Sequence, residues 1–325
     1  MTYLAPLCSA LVAILSLAFI LASRLGSRIQ DIPNERSLHT SPIPRIGGVG
    51  LLAGVLAGWL MLADALTWWL LLPLALLFIA SLLDDMRGMP VRLRLSVQLL
   101  AAAILAGGSG FLAGQGVVAA LLLVLLTVWM TNLYNFMDGA NGLAGGMALF
   151  GFAVYGVAAL QADDAPLAAL NFSISAAALG FLFFNFHPAR LFMGDAGSIP
   201  LGFLAAAMGL WGWQVGHWAA WFPLLVFSPF IVDASVTLLK RALRGAKITE
   251  AHREHYYQRA IQMGWSHRKV ALLEYAVMLG AGISALAGLK YGMAWIFLLV
   301  WCGVYAVLML AVDAAWSRHE RNTHA

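Results

Sequence analysis

Apolar runs of about 17 to 22 residues recur along the whole length of this chain, and each is long enough to cross the hydrocarbon core of a bilayer as a helix. Composition points the same way. With 62% hydrophobic and 10% charged residues and a mean hydropathy of +0.84, there is too little polar side chain to cover a soluble globule of 325 residues. The expected class is therefore all-α: a polytopic integral membrane protein forming one membrane-embedded domain over residues 1–325. Cys8 and Cys302 both fall inside apolar runs, so neither a disulfide framework nor a cysteine metal site is supported. Residues 1–22 lack a basic leader region, and Arg24 and Arg28 follow the apolar stretch, so this segment reads as a retained first span.

Length and polar interruption place about 11 spans, at 3–22, 47–63, 66–83, 95–107, 116–131, 143–160, 166–184, 198–214, 217–237, 270–288 and 292–312. Lys and Arg are retained on the cytoplasmic side of a membrane. With the N-terminus outside and the C-terminus cytoplasmic, every one of the 19 basic residues except Lys290 falls inside. The remaining outside connections, such as Asp64-Ala65 and the segment 161–166, are short and chemically poor. The net charge of +4 then reflects this bias; the basic residues are scattered over several loops and form no nucleic-acid surface. One inside segment, 238–269, is long enough to form a cytoplasmic loop with its own cluster of polar residues.

The same orientation gathers four polar clusters on one face: Asp84-Asp85, NLYNFMDGAN (132–141), NFHPARLFMGDAGS (185–198) and HREHYYQR (252–259). Charged groups at the edge of a bilayer are expensive unless they have a task. The adjacent acids Asp84 and Asp85 repel each other unless water, a cation or basic neighbours compensate, and Mg²⁺ takes one or two carboxylates together with substrate phosphates. A solvated helix end explains such a pair equally well when it is taken alone. In the second cluster, Asp138 and Asn141 precede Gly142, Gly145 and Gly146 at the start of an apolar run; these glycines serve either an anion at a helix N-terminus or close helix packing. Asp195, between Gly194 and Gly197, reads as a carboxylate presented on a tight turn or as a helix N-cap. His252 and His255, three apart and followed by Arg259, read more simply as anion binders than as a metal pair.

Taken in order, PIPRIGG, LLDDMRG, NLYNFMDGANGLAGG, FNFHPARLFMGDAGS and HREHYYQR resemble the motifs of the polyprenyl-phosphate N-acetylhexosamine-1-phosphate transferases, glycosyltransferase family 4. The last of them is most similar to the O-antigen-initiating branch that uses UDP-FucNAc, UDP-QuiNAc or UDP-GlcNAc. The resemblance implies Mg²⁺-dependent (or Mn²⁺-dependent) transfer of a sugar 1-phosphate from a UDP-N-acetylhexosamine to undecaprenyl phosphate, releasing UMP, at the cytoplasmic face of a bacterial inner membrane. The resemblance further implies that this transfer starts O-antigen or related cell-envelope polysaccharide synthesis. Carried over by motif position, Asp195 ligates the metal; Asp84 and Asp85 handle the metal and the lipid phosphate as catalytic groups. Asn135 and Asp138 lie near the uridine, Phe192 stacks on uracil, and His252, His255 and Arg259 bind the diphosphate or sugar. Asn141 stands where many members carry a second Asp, which keeps an acceptor oxygen there but removes a charge. The expected partners are the lipid acceptor, the nucleotide sugar and membrane lipid, with no nucleic acid and with homo-oligomerisation left open. The competing reading is a polytopic transporter or lipid carrier without transferase activity, for which ligands gather near the bilayer midplane at repeated broken helices; here the clusters sit at span ends, and no halves repeat.

Overall fold

A computed structural model describes residues 2–23, 29–31, 42–247, 250 and 252–323. The chain is a bundle of helices in the order α1 (Ala5–Ala22), α2 (Gly47–Leu60), α3 (Trp68–Arg87), α4 (Val91–Gly108), α5 (Phe111–Phe136), α6 (Leu143–Gln161), α7 (Ala165–Asn185), α8 (Asp195–Gln214), α9 (Trp221–Val226), α10 (Ser228–Leu243), α11 (Tyr256–Gln262), α12 (His267–Tyr291) and α13 (Ala294–Thr323). A short antiparallel pair, β1 (Gln30–Asp31) with β2 (Ile43–Pro44), precedes α2. Arg24, Arg28, Arg36, His39 and His324, and residues 248, 249 and 251 of the long inside loop, lie outside the described residues.

Nine of the described helices, α1, α3 to α8, α12 and α13, are long and apolar enough to cross a membrane, as an all-α polytopic chain requires. Two of the eleven expected spans are not single long helices. The helix α2 has 14 residues, about 21 Å at 1.5 Å per residue; it leaves the helical path at Met61, where a 3₁₀ turn, Ala63–Ala65, takes over. The expected span 217–237 is divided at Phe227 into α9 and α10. Pro229 lies in the first turn of α10, where a missing N–H costs nothing, whereas in an uninterrupted helix it would remove a hydrogen bond. Ser228 Oγ donates to the Leu225 carbonyl at 2.7 Å and so satisfies one acceptor at the break.

The centre of the bundle is α6, α7 and α8, of which 72, 78 and 83% of the spanning residues are buried inside the protein, against 6% for α13. Several polar side chains within this interior find backbone partners, which an apolar surround favours. Trp59 Nε1 donates to the Leu170 carbonyl at 3.0 Å and ties α2 to α7; Tyr134 Oη donates to the Ala144 carbonyl at 2.8 Å and ties α5 to α6. A functional group at the N-terminus of α8 therefore stands on the most deeply buried of the described spanning helices.

Candidate active site

The C-terminal ends of α3, α5 and α7 and the N-terminal ends of α6, α8 and α12 meet at one end of the bundle. There Asp85, in the last turn of α3, accepts hydrogen bonds from the backbone N–H of Asp195 at 3.1 Å and of Ala196 at 2.8 Å. The first N–H groups of a helix have no internal partner and sit at the positive end of its dipole, so a carboxylate from α3 caps α8 across 110 residues of sequence. Its side chain is only 1% exposed. Asp84 turns the other way, accepting from Met89 N at 2.5 Å and from Arg94 at 3.0 Å. The repulsion expected between two adjacent acids is thus relieved by separate donors for each.

A third charge completes the arrangement. The segment before α2 is stitched to the one before α8 by backbone bonds: Phe192 N to Pro44 O at 2.7 Å, Gly47 N to Phe192 O at 2.8 Å and Gly48 N to Met193 O at 2.7 Å. This places the Arg45 guanidinium in an ion pair with Asp195 and 3.3 Å from Asp85. Arg94 stands 3.7 Å from the other oxygen of Asp195. Burial alone would lower the pKa of Arg45, but Asp195, Asp85, Asp31 and Asp138 outweigh it and push the value up, so this cation is permanent.

These groups border a cavity of about 480 Å³, lined by Arg45, Arg94, Asn135, Phe136, Asp138, Asn141, Asn185, Phe192, Asp195, Tyr257, Gln258 and His267 among others. Five of the residues singled out in the sequence, Asn135, Asp138, Asn141, Phe192 and Asp195, face this one space; Asp84 and Asp85, expected to handle the metal and the lipid phosphate, are not among the residues lining it. Asn135 accepts from Ser198 Oγ at 2.8 Å. The side chain of Asn141 meets His187 Nδ1 at 3.1 Å, and its backbone N–H points to His267 Nδ1 at 3.4 Å. Those two imidazoles lie parallel, 5.8 Å apart. Of the two readings of the glycines opening α6, packing is what the structure places there: a side chain on Gly146 would run into the ring of Tyr275, and the Gly142 N–H is taken by Asn185 Oδ1 at 2.9 Å.

The HREHYYQR motif is adjacent to the cavity, yet His252, His255 and Arg259 are not among the residues lining it. His255 is buried and its Nδ1 lies 3.2 Å from Asp233 of α10. Arg259, also buried, pairs with Asp313 of α13 at 3.0 Å and lies 3.8 Å from Glu254. Tyr257 and Gln258 are the motif's residues on the cavity wall, while the hydroxyl of Tyr256 turns to Lys240 at 2.6 Å. His252 is pushed down to about 4, first by burial and then by His255, Arg241 and Arg259. A histidine with a depressed folded pKa binds its proton less readily when folded, so stability is full above the unfolded pKa near 6.5 and falls as the pH drops from there towards 4. We therefore expect wild type to lose more thermal stability between pH 7 and pH 5 than His252→Gln does; equal losses in melting scans would refute the shift.

The sequence places Arg45 inside PIPRIGG, Asn185 at the head of NFHPARLFMGDAGS and Arg94 among the inside basic residues, but gives none of them a role, and Asp233 stands in no cluster at all. The signal available for Arg45 was a lone cation between Pro44 and Gly47-Gly48, at the very start of a span.

Comparison with known proteins supplies the family. Residues 67–212 match the family described as glycosyl transferase family 4. A protein of Bacillus subtilis (strain 168) named "Probable undecaprenyl-phosphate N-acetylglucosaminyl 1-phosphate transferase" is 31% identical over 288 residues, covering 83% of this chain and 80% of the relative. The chain belongs to glycosyl transferase family 4. Other relatives in that group are the decaprenyl-phosphate N-acetylglucosaminephosphotransferase of Mycobacterium leprae (strain TN), 30% identical over 77% of this chain and 75% of its own, and a phospho-N-acetylmuramoyl-pentapeptide-transferase of Pelotomaculum thermopropionicum, 31% identical over 82% and 90%. The family 4 match spans the carboxylates from Asp84 to Asp195; Arg45 and HREHYYQR lie outside it.

The divalent cation implied by the motif resemblance can be tested against these donors. Among the described residues no three His, Cys, Asp or Glu side chains form a closed ligand set. Asp138, Asp195 and Asn135 nevertheless offer only hard oxygen donors to the cavity, and Mg²⁺ typically binds through one or two carboxylates plus substrate phosphates. The carboxyl of Asp138 is pushed well above the usual carboxylate range, mainly by burial, with Arg45 opposing and Asp195 and Asp85 adding repulsion. A cation beside it would relieve that penalty, so the residues present fit the ion.

Proposed function

We propose that this chain transfers an N-acetylated hexosamine 1-phosphate from a UDP-sugar to undecaprenyl phosphate, releasing UMP and leaving the lipid diphospho-sugar, on the cytoplasmic face of a bacterial inner membrane. The observation that carries this reading is the convergence of Asp138, Asp195 and Arg45 on one cavity, with Asp85 capping the helix that carries Asp195. Both reactants are anionic, so attack of one phosphate on another is slow until charge is neutralised. Arg45 and Arg94 supply fixed positive charge, Asp85 orients Asp195 through the first turn of α8, and Phe192 offers an aromatic face to the base. Asp195 and Asp138 would hold Mg²⁺ or Mn²⁺, which when bound stabilises charge on the transferring phosphoryl group.

The names of the Bacillus and mycobacterial relatives favour UDP-GlcNAc as donor, whereas the HREHYYQR motif favours the O-antigen branch and its 6-deoxy donors. Purified protein incubated with undecaprenyl phosphate and labelled UDP-GlcNAc, UDP-FucNAc, UDP-QuiNAc or UDP-MurNAc-pentapeptide decides between them by kcat/KM. We expect label in the lipid fraction, with one of the first three donors preferred. Exclusive use of the peptide-bearing donor would sink the O-antigen assignment, and no lipid-linked label with any donor would sink the reaction itself.

A further inference from the structure

We infer that Asp233 is a positioning residue for the transfer, setting the cavity wall that α11 contributes; the inference rests on the transferase reading above. Asp233 belongs to none of the motif clusters. It sits on α10 with 6% of its surface exposed, and a carboxylate so placed is costly unless its lone pairs are filled. All four groups around it are donors or can act as such. Its Oδ1 receives the backbone N–H of Tyr256 at 3.0 Å, Thr237 Oγ1 at 3.2 Å and His255 Nδ1 at 3.2 Å. Its Oδ2 receives the backbone N–H of Tyr257 at 3.1 Å.

Three of these four partners are the consecutive residues His255, Tyr256 and Tyr257, so one side chain fixes where α11 begins and how it is rotated. The consequence reaches the cavity by two short routes. Tyr257 Oη donates to the carbonyl of Phe136 at 3.0 Å, at the end of α5 and two residues before Asp138. The His255 ring, whose Nδ1 lies 3.2 Å from Asp233, stacks on the Phe136 ring at 6.1 Å and 27°, and the His255 backbone N–H donates to Gln258 Oε1 at 3.2 Å. Phe136, Tyr257 and Gln258 all line the cavity. Asp233 itself stays outside the cavity and acts through these neighbours.

The test is Asp233→Asn, which keeps size but replaces one accepting oxygen with an NH₂ group that must face a donor in either orientation. A displaced wall weakens ground-state and transition-state binding alike, so the KM for the UDP-sugar is expected to rise tenfold or more with kcat changed less than about threefold. His255→Gln is expected to raise KM as well, and the double variant to fall well short of the product of the two effects, since they act through one contact. A purely structural Asp233 would instead lower the yield of folded protein, leave KM of the folded fraction at the wild-type value and give independent effects in the cycle; either of the last two results overturns the inference. Should Asp233→Asn not be recovered folded, His255→Gln and Tyr257→Phe decide, and wild-type KM in both overturns it. Wild-type protein that turns over no UDP-sugar counts against the transferase reading, and the inference falls with it; wild-type turnover with an unchanged KM in the variant removes the inference alone.

Discussion

Asp195→Asn is expected to abolish sugar-phosphate transfer while leaving a folded protein in detergent. The substitution keeps the volume of the side chain and its backbone N–H, which Asp85 receives at 3.1 Å, so the capped start of α8 survives. What it removes is the negative charge facing Arg45 and Arg94 and one of the carboxylates that line the cavity. Loss of a ligand that stabilises charge in the transition state is worth several kcal/mol, and each 1.36 kcal/mol is a factor of ten, so a fall of more than about a hundredfold in kcat follows. Turnover near wild type that is also insensitive to EDTA would remove Asp195 from any metal site. A severe loss of folded protein would instead assign it to the architecture of α8.

Gly48→Ala is expected to cost about 3 kcal/mol of stability, the upper end of the usual penalty for overfilling a packed site. A Cβ at this position would lie 2.3 Å from the backbone nitrogen of Gly197 and 2.5 Å from its Cα, and backbone atoms cannot turn aside as a flexible side chain can. The damage is not confined to packing. Because Gly48 N donates to Met193 O at 2.7 Å, pushing α2 away from α8 also withdraws Arg45 from Asp195. A lower melting temperature should therefore accompany lost activity. Wild-type melting behaviour in Gly48→Ala would contradict the close approach of the two helices.

The long apolar helices were legible in the sequence because bilayer thickness imposes a length that composition alone reveals; α1, α3, α6, α7 and α8 lie within a few residues of their expected limits. The interruption at Phe227 was missed because hydropathy cannot separate one helix from two, although the Ser228-Pro229 pair inside WFPLLVFSPFIV was a local signal for it. Within the candidate site, Asp138, Asn141 and Asp195 could be found from local pattern, polar residues among glycines where apolar runs end, whereas Phe192 came only from the motif resemblance. Asp233 could not, because a single acid within a stretch that continues into Lys240 and Arg241 has no local signature; its meaning comes from two backbone N–H groups and an imidazole that arrive more than twenty residues later. The histidines were found by pattern, but their facing was not, because spacing along a helix fixes which residues share a side and leaves open what that side meets.

The bond from Arg45 to Asp195 spans 150 residues, and this has a bearing on how the protein is made. During synthesis Asp84 and Asp85 emerge with α3, well before the N–H groups and the arginine arrangement that neutralise Asp85 exist. Until α8 is delivered, that carboxylate must stay hydrated or protonated at the membrane surface, and α3 has no reason to settle at its final depth. Contacts of such separation form late in any chain, since loop closure must be met before they repay it. The candidate site is accordingly completed only after α8 has been made, so a fragment stalled before Asp195 would hold most of the spans without that carboxylate and its pairing with Arg45.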